Sequence, residues 1–537
     1  MAVTTELNVS SLEKGPDDGI MHKSSSLQSS PIGTSEEVAN DVLGGESTNP
    51  VFRNKMHLVN DAIDEIGWTP LHTKLFCLSG FGYAVDSLVA MLAGITAGQA
   101  HAEIGNGGYP TGLAMSLYSG LFVGALFWGI AADLVGRRIA FNITLFLVSI
   151  SAIVAGSAPS WPVLGFFVSL IGFSAGGNLV LDPAVFLEYL PSKYQWTVTG
   201  MAFWWGIGQA GAGFIAWGIF SREDWSCDPT APESCTWQNN KAWRLIFFIS
   251  GAVVFVLSLL RVLVIDLHET PKYMLASGKE EKLVEHLQAL AAKYNRQCSL
   301  RYDQLLACGS ESGSEISAEA KHGARRVLNA VVEVGTHLRG LFATPRLGLS
   351  TGLLWLSWTL IGLAYPLFFI FLPSLIANRV PNTTSTFTET WRDYTITNLC
   401  ASIGPLIACG LCEVRFLGRR YTMVIGAVVT AAFFFGYTAI RTSTQNLALS
   451  SCISICINIY YGTLYAYTVE VLPSEHRTTG NGIAVGCNRI MGLLSAVVAQ
   501  VGDTTTTTPL YICAAMFIIM AIVSAALPFE PRGTRAS

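Results

Sequence analysis

Twelve apolar stretches dominate this chain, each about 18–25 residues long, the length that crosses the hydrocarbon core of a bilayer as a helix. They lie near 74–98, 112–132, 139–158, 162–182, 198–220, 243–265, 350–376, 395–412, 421–440, 446–468, 480–501 and 509–528. A single run of this kind could be a buried core helix of a soluble protein; twelve could not. Residues are 51% hydrophobic and 13% charged, roughly half the charge of a soluble domain. Backbone amides in lipid find no water, so each stretch is expected to satisfy its hydrogen bonds internally as a helix. The expected fold class is therefore all-α integral membrane.

Lysine and arginine give the expected orientation, because cytosolic loops are enriched in them. With the N-terminus in the cytosol, most of the 33 basic residues fall on the cytosolic side. Arg222, Lys241, Arg379, Arg392 and Arg441 fall on the other side, and Arg244, Arg261 and Arg489 inside apolar stretches. Both termini are thus expected inside, and no cleavable signal peptide is visible. The divisions are a polar, Ser-rich disordered tail (1–66), six helices (67–266), a cytosolic connection (267–347), six more helices (348–528) and a short cytosolic tail (529–537). Within the connection, "SGKEEKLVEHLQALAAKYN" has the pattern of an amphipathic helix, either lying on the membrane surface or acting as a regulatory element.

A short phrase occurs twice. "EYLPSKYQ" at 188–195 returns as "EVLPSEHR" at 470–477, an offset of 282 residues from Glu188 to Glu470. The triplet "GRR" repeats at the same offset, Gly136-Arg137-Arg138 against Gly418-Arg419-Arg420, and so does "GFGY" (80–83) against "GLAY" (362–365). The chain reads as two parallel copies of a six-helix unit, related by an axis along the membrane normal. The phrase marks the cytosolic end of the fourth helix of each copy.

These residues carry a resemblance. "GIAADLVGRR" (129–138) resembles motif A of the major facilitator superfamily, with Gly129, Asp133, Gly136, Arg137 and Arg138 in place and Leu134 where a basic residue is usual. "ETPKYMLASGK" is similar to the phrase after the sixth helix in sugar-porter-like branches. "GGNLVLDPAVFLEYLPSKYQ" and "YTVEVLPSEHRTTGNGIAVGCNRIMG" resemble the fungal branch related to synaptic-vesicle glycoproteins, organic-ion transporters and aromatic-acid/proton symporters. The resemblance spans about 53–531. It implies twelve transmembrane helices in two pseudo-symmetric six-helix bundles, with a gate of Gly129, Asp133, Gly136, Arg137, Arg138, Glu188, Arg419, Glu470 and Arg477. Asp133 and Arg137 are four apart and can pair on one helix face. In the second copy Arg415 replaces the aspartate, leaving Glu413 or Glu470 as partner.

Charges inside membrane stretches cost at least ~2.5–3.5 kcal/mol each at the helix centre, and three of them are site candidates. Asp86 lies mid-stretch in "GFGYAVDSLVAML"; it is either a proton or solute site or a carboxylate satisfied by Ser87. Asp182, before Pro183, is a second proton-relay candidate or a helix-end group. Arg489 stands seven residues past Gly482, roughly 10 Å into its helix, and is suited to a carboxylate or else snorkels to the interface. By the resemblance, a basic residue here favours an anionic solute, an inference that weakens if Asp86 and Arg489 pair when empty. Further cavity candidates are Asn178, Gln209, Trp204, Trp205, Tyr365, Asn458, Tyr461 and Tyr465.

Cys227 and Cys235, in "SCDPTAPESCTW" on the non-cytosolic side, are positioned for a disulfide, and Asn382 in "PNTT" is a glycosylation sequon. The net charge of −4 and the absence of a basic stripe offer nothing to nucleic acid. No metal spacing, phosphate loop or nucleophile elbow appears, so no cofactor and no enzyme chemistry are expected. The expected function is proton-coupled alternating-access transport of a small organic anion at the plasma membrane, by a monomer. An efflux pump, a nutrient sensor of transporter-like build and a vacuolar or other endomembrane location are the alternatives.

Overall fold

The structure is a computed structural model. It describes residues 50–309, 335 and 338–531, except 106, 136, 228–234, 265–269, 277, 379–386, 474–475 and 502–507. Among these residues the regular structure is entirely helical.

The first bundle consists of α2 (Pro70–Ile104), α3 (Gly112–Val135), α4 (Arg137–Ala155), α5 (Trp161–Ala175), α6 (Asn178–Tyr189), α7 (Trp196–Gly200), α8 (Phe203–Phe220) and α9 (Ala242–Val264). The second holds α13 (Pro345–Asn378), α14 (Phe387–Ala401), α15 (Ile403–Glu413), α16 (Gly418–Tyr437), α17 (Ser443–Val471), α18 (Arg477–Val501) and α19 (Thr508–Ala525). Among the described residues, eight helical spans are long and apolar enough to cross a membrane, and Gly112–Trp128, Asn142–Ala155 and Trp161–Ala175 are shorter apolar helices. Large apolar side chains such as Val256, Leu263, Val428 and Ile522 point outward and exposed. Such a belt suits lipid and would be an aggregation surface in water.

Several crossings depart from continuous rods. The fourth apolar stretch breaks at Gly176–Gly177 and continues as α6 to Tyr189, with Pro183 inside it. The fifth begins with the separate turn α7, and the eighth starts at Phe387 and breaks at Ser402. Hydropathy alone cannot register such breaks, because glycine and serine barely interrupt an apolar run.

The bundles meet through α3 on α18, α8 on α14, and the ends α6 and α7 on α17, α18 and α15. The 282-residue offset maps α3 onto the α14–α15 segment and α8 onto α18. The α3–α18 and α8–α14 contacts are therefore two copies of one contact. Inside the first bundle, α3 and α5 touch backbone to backbone. A Cβ added at Gly120 or Gly124 would overlap the main chain at Ser169 or Phe173, and one at Gly172 or Gly176 the main chain at Leu117 or Leu121. Small residues at four-residue spacing allow helices this close approach in lipid.

The expected disordered tail is corrected over its last part: residues Pro50–Ile66 form a helix, α1. Met56, Val59, Ile63 and Ile66 recur at three- and four-residue spacing and are buried, the pattern of a one-sided helix. They pack against the connection, in which the described helices include α10 (Pro271–Ala276), α11 (Glu280–Lys293) and α12 (Tyr302–Ala307). The apolar side of α11 (Leu283, Val284, Leu287, Ala291) is thus covered by α1 of the same chain rather than turned to a membrane surface. Lys55 pairs with Glu280 at 2.7 Å. Asp64 accepts from the backbone amide (2.6 Å) and hydroxyl (2.8 Å) of Ser192 in the first copy of the repeated phrase. The α1 module, the end of α6 and the start of α16 share one face of the molecule, called here the terminal face.

Candidate functional site

A cavity of about 260 Å³ lies between the bundles. Its polar floor is Asp86 on α2 and Arg489 on α18, facing each other across the bundle boundary. Arg489 Nη2 stands 3.4 and 3.5 Å from the two carboxylate oxygens of Asp86. Both are buried, and the Arg489 Nε has no hydrogen-bond partner. A tight charge-assisted pair sits at about 2.7–2.9 Å, so this pair neutralises itself without being locked. Ser87 is not the partner of Asp86; its hydroxyl donates to the carbonyls of Ala84 (3.0 Å) and Trp205 (2.9 Å) and fastens α2 to α8.

Aromatic rings surround the pair. Tyr118, Trp205, Tyr365, Phe369, Tyr394 and Tyr461 line the cavity with Gln209 and Asn488. Gln209 Nε2 donates to the Tyr365 hydroxyl, and the Tyr394 hydroxyl donates to Met91 Sδ at 2.7 Å. From Asp86 the lining continues along α2 through Gly94 and Gly98 to Pro110 and Thr111, away from the terminal face. On the terminal-face side a plug of rings closes it: Trp205 lies 4.6 Å from Tyr465, and Tyr465 lies 4.3 Å from Trp358 and 6.0 Å from Tyr83.

Of the solute-site candidates, Arg489, Gln209, Tyr365, Tyr461 and Trp205 line this cavity. Asn178 and Asn458 do not. Asn178 accepts from Thr144 inside the first bundle at 2.7 Å, and Asn458 donates to Ser454 within α17 at 2.8 Å. Trp204 turns from Trp205 to pack against Phe76 and Phe81. Sequence reasoning missed Tyr118, Tyr394 and Asn488, which look like ordinary membrane-helix residues until the helices are assembled.

Asp182 is not in the cavity lining. It is fully buried and ion-paired with equally buried Arg261 of α9. This pair presses on α2: a Cβ at Gly82 would overlap Asp182 Oδ2 and stand 3.2 Å from Arg261 Nη2. Separating one partner from a buried pair costs about 3–5 kcal/mol. Gly82→Ala should therefore lower the thermal midpoint of the purified protein markedly; an unchanged midpoint would show that the pair relaxes freely.

Near the terminal face, Arg419 pairs with Glu470, Nη2 donating to Oε1 at 2.7 Å. Of Glu413 and Glu470, the second is the observed partner. Glu530 accepts from the backbone amides of Arg419 (2.9 Å) and Arg420 (3.0 Å), capping α16. Glu188 and Arg477 are buried at the same end. Gly129 and Asp133 belong to α3, and Arg137 and Arg138 to α4; for these four the description covers only the backbone, and Gly136 and Asn382 lie outside the described residues. On the opposite face Cys227 and Cys235 form a disulfide. Gln99 holds this loop through the Cys227 carbonyl at 3.1 Å. Beside it Arg244 pairs with Glu103 at 2.8 Å and lies over the rings of Trp237 and Trp243.

Two helical bundles, clasped around a cavity with one charge from each, define a multi-pass membrane carrier of small solutes. Residues 75–496 match the Major Facilitator Superfamily. The chain belongs to that family. It is similar to MFS siderochrome iron transporter 1 of Ceriporiopsis subvermispora, 33% identical over 93% of this chain and 94% of the relative. It is also similar to synaptic vesicle 2-related protein of Rattus norvegicus, 24% identical over 91% of this chain and 83% of the relative. Among solved structures, the proton:xylose symporter XylE shares the fold with a TM-score of 0.63 and 15% identity, over 87% of this chain and 97% of that one.

Proposed function

We propose that this carrier moves a small organic acid together with a proton, by alternating access. The observation that carries the reading is the loose Asp86–Arg489 pair across the bundle boundary. Its pairing removes the simplest argument for an anion, since Arg489 is not an unmatched charge in the empty site. It supplies a better one for coupling. A solute carboxylate can take the guanidinium only if Asp86 gives it up, and a carboxylate left beside a bound anion without a counter-charge is costly. Protonation of Asp86 removes that cost, so solute and proton bind together. The 260 Å³ cavity is just below the usual 300–1,000 Å³ of small-molecule pockets, and its rings suit a compact, partly apolar acid.

Asp182 serves as the second proton position. Its carboxylate lies against Gly82, one turn (about 6 Å) along α2 from Asp86. Arg137 and its neighbours act in the gate, with Arg419 and Glu470 as the second-bundle counterpart. The direct test is uptake into proteoliposomes under an imposed proton gradient, with aromatic and aliphatic carboxylates and their methyl esters as paired probes. Gradient-driven accumulation of acids but not esters is expected; accumulation of esters or of amines alone would sink the reading.

A further inference from the structure

On the terminal-face side of the Asp86–Arg489 pair, buried polar groups stand without partners on both bundles. Asn481 of α18 is 1% exposed, and neither its Oδ1 nor its Nδ2 has a hydrogen-bond partner. On α2, Ser79 and Tyr83 are as deeply buried and their hydroxyls are likewise unpartnered. A whole amide left unsatisfied is a standing cost in the conformation seen here.

The positions of these groups follow the helix repeat. Ser79 precedes Asp86 by seven residues, and Asn481 precedes Asn488 by seven. Two turns of an α-helix return to nearly the same stripe, and both Asp86 and Asn488 line the central cavity. Ser79 and Asn481 therefore continue the two cavity walls, one on each bundle, past the ring plug toward the terminal face. Tyr83 sits at the plug itself, its ring against Tyr465 of the other bundle.

We infer that Ser79, Tyr83 and Asn481 wall a second solute site, which forms when the bundles part at the terminal face and takes an oxygen-bearing acid through hydroxyl and amide donors. The inference rests on the carrier reading above. A hydroxyl or amide bonded to a carboxylate lacks the opposing charge and two-pronged fork of a guanidinium, so it holds the anion less tightly. This site therefore receives the solute as Arg489 returns to Asp86 and lets it go, a release position below the binding position. Its polar groups are unsatisfied here because the walls are pressed together.

The test needs no solute, so it reads the opening of this site separately from the organic-acid reading. Ser79→Cys and Asn481→Cys are made in the full-length carrier in lipid nanodiscs and exposed to a small maleimide, with modification read by peptide mass spectrometry. Ser250→Cys is the control: Ser250 is equally buried and its hydroxyl equally unpartnered, but the main packing partners of α9 are α2, α4 and α8, all of the first bundle. Both test positions should react at least about tenfold faster than the control, through the minor open state. Asn481→Leu, which removes the unsatisfied amide at similar volume, should raise the thermal midpoint. Labelling at the control rate, or a lowered midpoint in Asn481→Leu, overturns the proposal, since an amide with a structural partner in the resting state behaves that way.

Discussion

Asp86→Asn carriers should equilibrate their solute across the membrane and go no further, while exchange of solute for solute continues. The amide keeps the shape of the carboxylate but cannot take up or release the proton that releases Arg489. Arg489, no longer held at 3.4 Å by a charge, remains open to a carboxylate, so binding should persist or tighten. The measurement is steady-state accumulation of a labelled acid under an inward proton gradient, beside counterflow without one. Undiminished uphill uptake would remove Asp86 from the coupling role and move attention to Asp182.

Arg489→Ala should have the other large effect. Loss of a charged hydrogen bond in a buried site costs about 1.5–3 kcal/mol, and each 1.4 kcal/mol is a factor of ten in affinity, so apparent affinity for an acid should fall about ten- to a hundredfold. The variant also strands Asp86 without its counter-charge, a penalty of about 3–5 kcal/mol in a buried pair. The double variant Asp86→Asn/Arg489→Ala should therefore be more stable than Arg489→Ala alone. Arg489→Lys keeps the charge without the fork and should fall between wild type and alanine. Expression and thermal midpoint separate binding loss from misfolding. Normal acid transport by Arg489→Ala would end the organic-anion assignment and leave the carrier assignment standing.

What could be read from the residues, and what could not, follows from the physics of each signal. Lipid imposes length and apolarity on every crossing, so the helix count and the two-copy organisation were legible from hydropathy and the 282-residue repeat. A charge in lipid is costly enough to stand out, which is why Asp86 and Arg489 were legible and why they meet. Uncharged polar residues carry no such signal. Asn178 and Asn458 make their hydrogen bonds inside one bundle, whereas Asn488 lines the cavity, and nothing local distinguishes the three. Trp204 and Trp205 differ only by the 100° between successive helical positions. The α1 helix was hidden by its setting, a short one-sided pattern following a long Ser-rich tail. The Asp182–Arg261 pair required knowing that α6 and α9 both flank Gly82.

The fused backbones of α3 and α5 bear on something outside the protein. With Gly120, Gly124, Gly172 and Gly176 leaving no gap between them, the two helices move as one plank. The inner edge of that plank, α3, is the part that touches α18 of the other bundle. Any rocking that opens the α3–α18 seam therefore drags α5 along, with the exposed Phe166 on its outer side. In the proposed alternating-access cycle such a movement would push acyl chains aside, adding viscous drag from the bilayer to the barrier. On the proposed cycle, turnover should therefore slow in a stiffer bilayer while affinity for the solute stays unchanged.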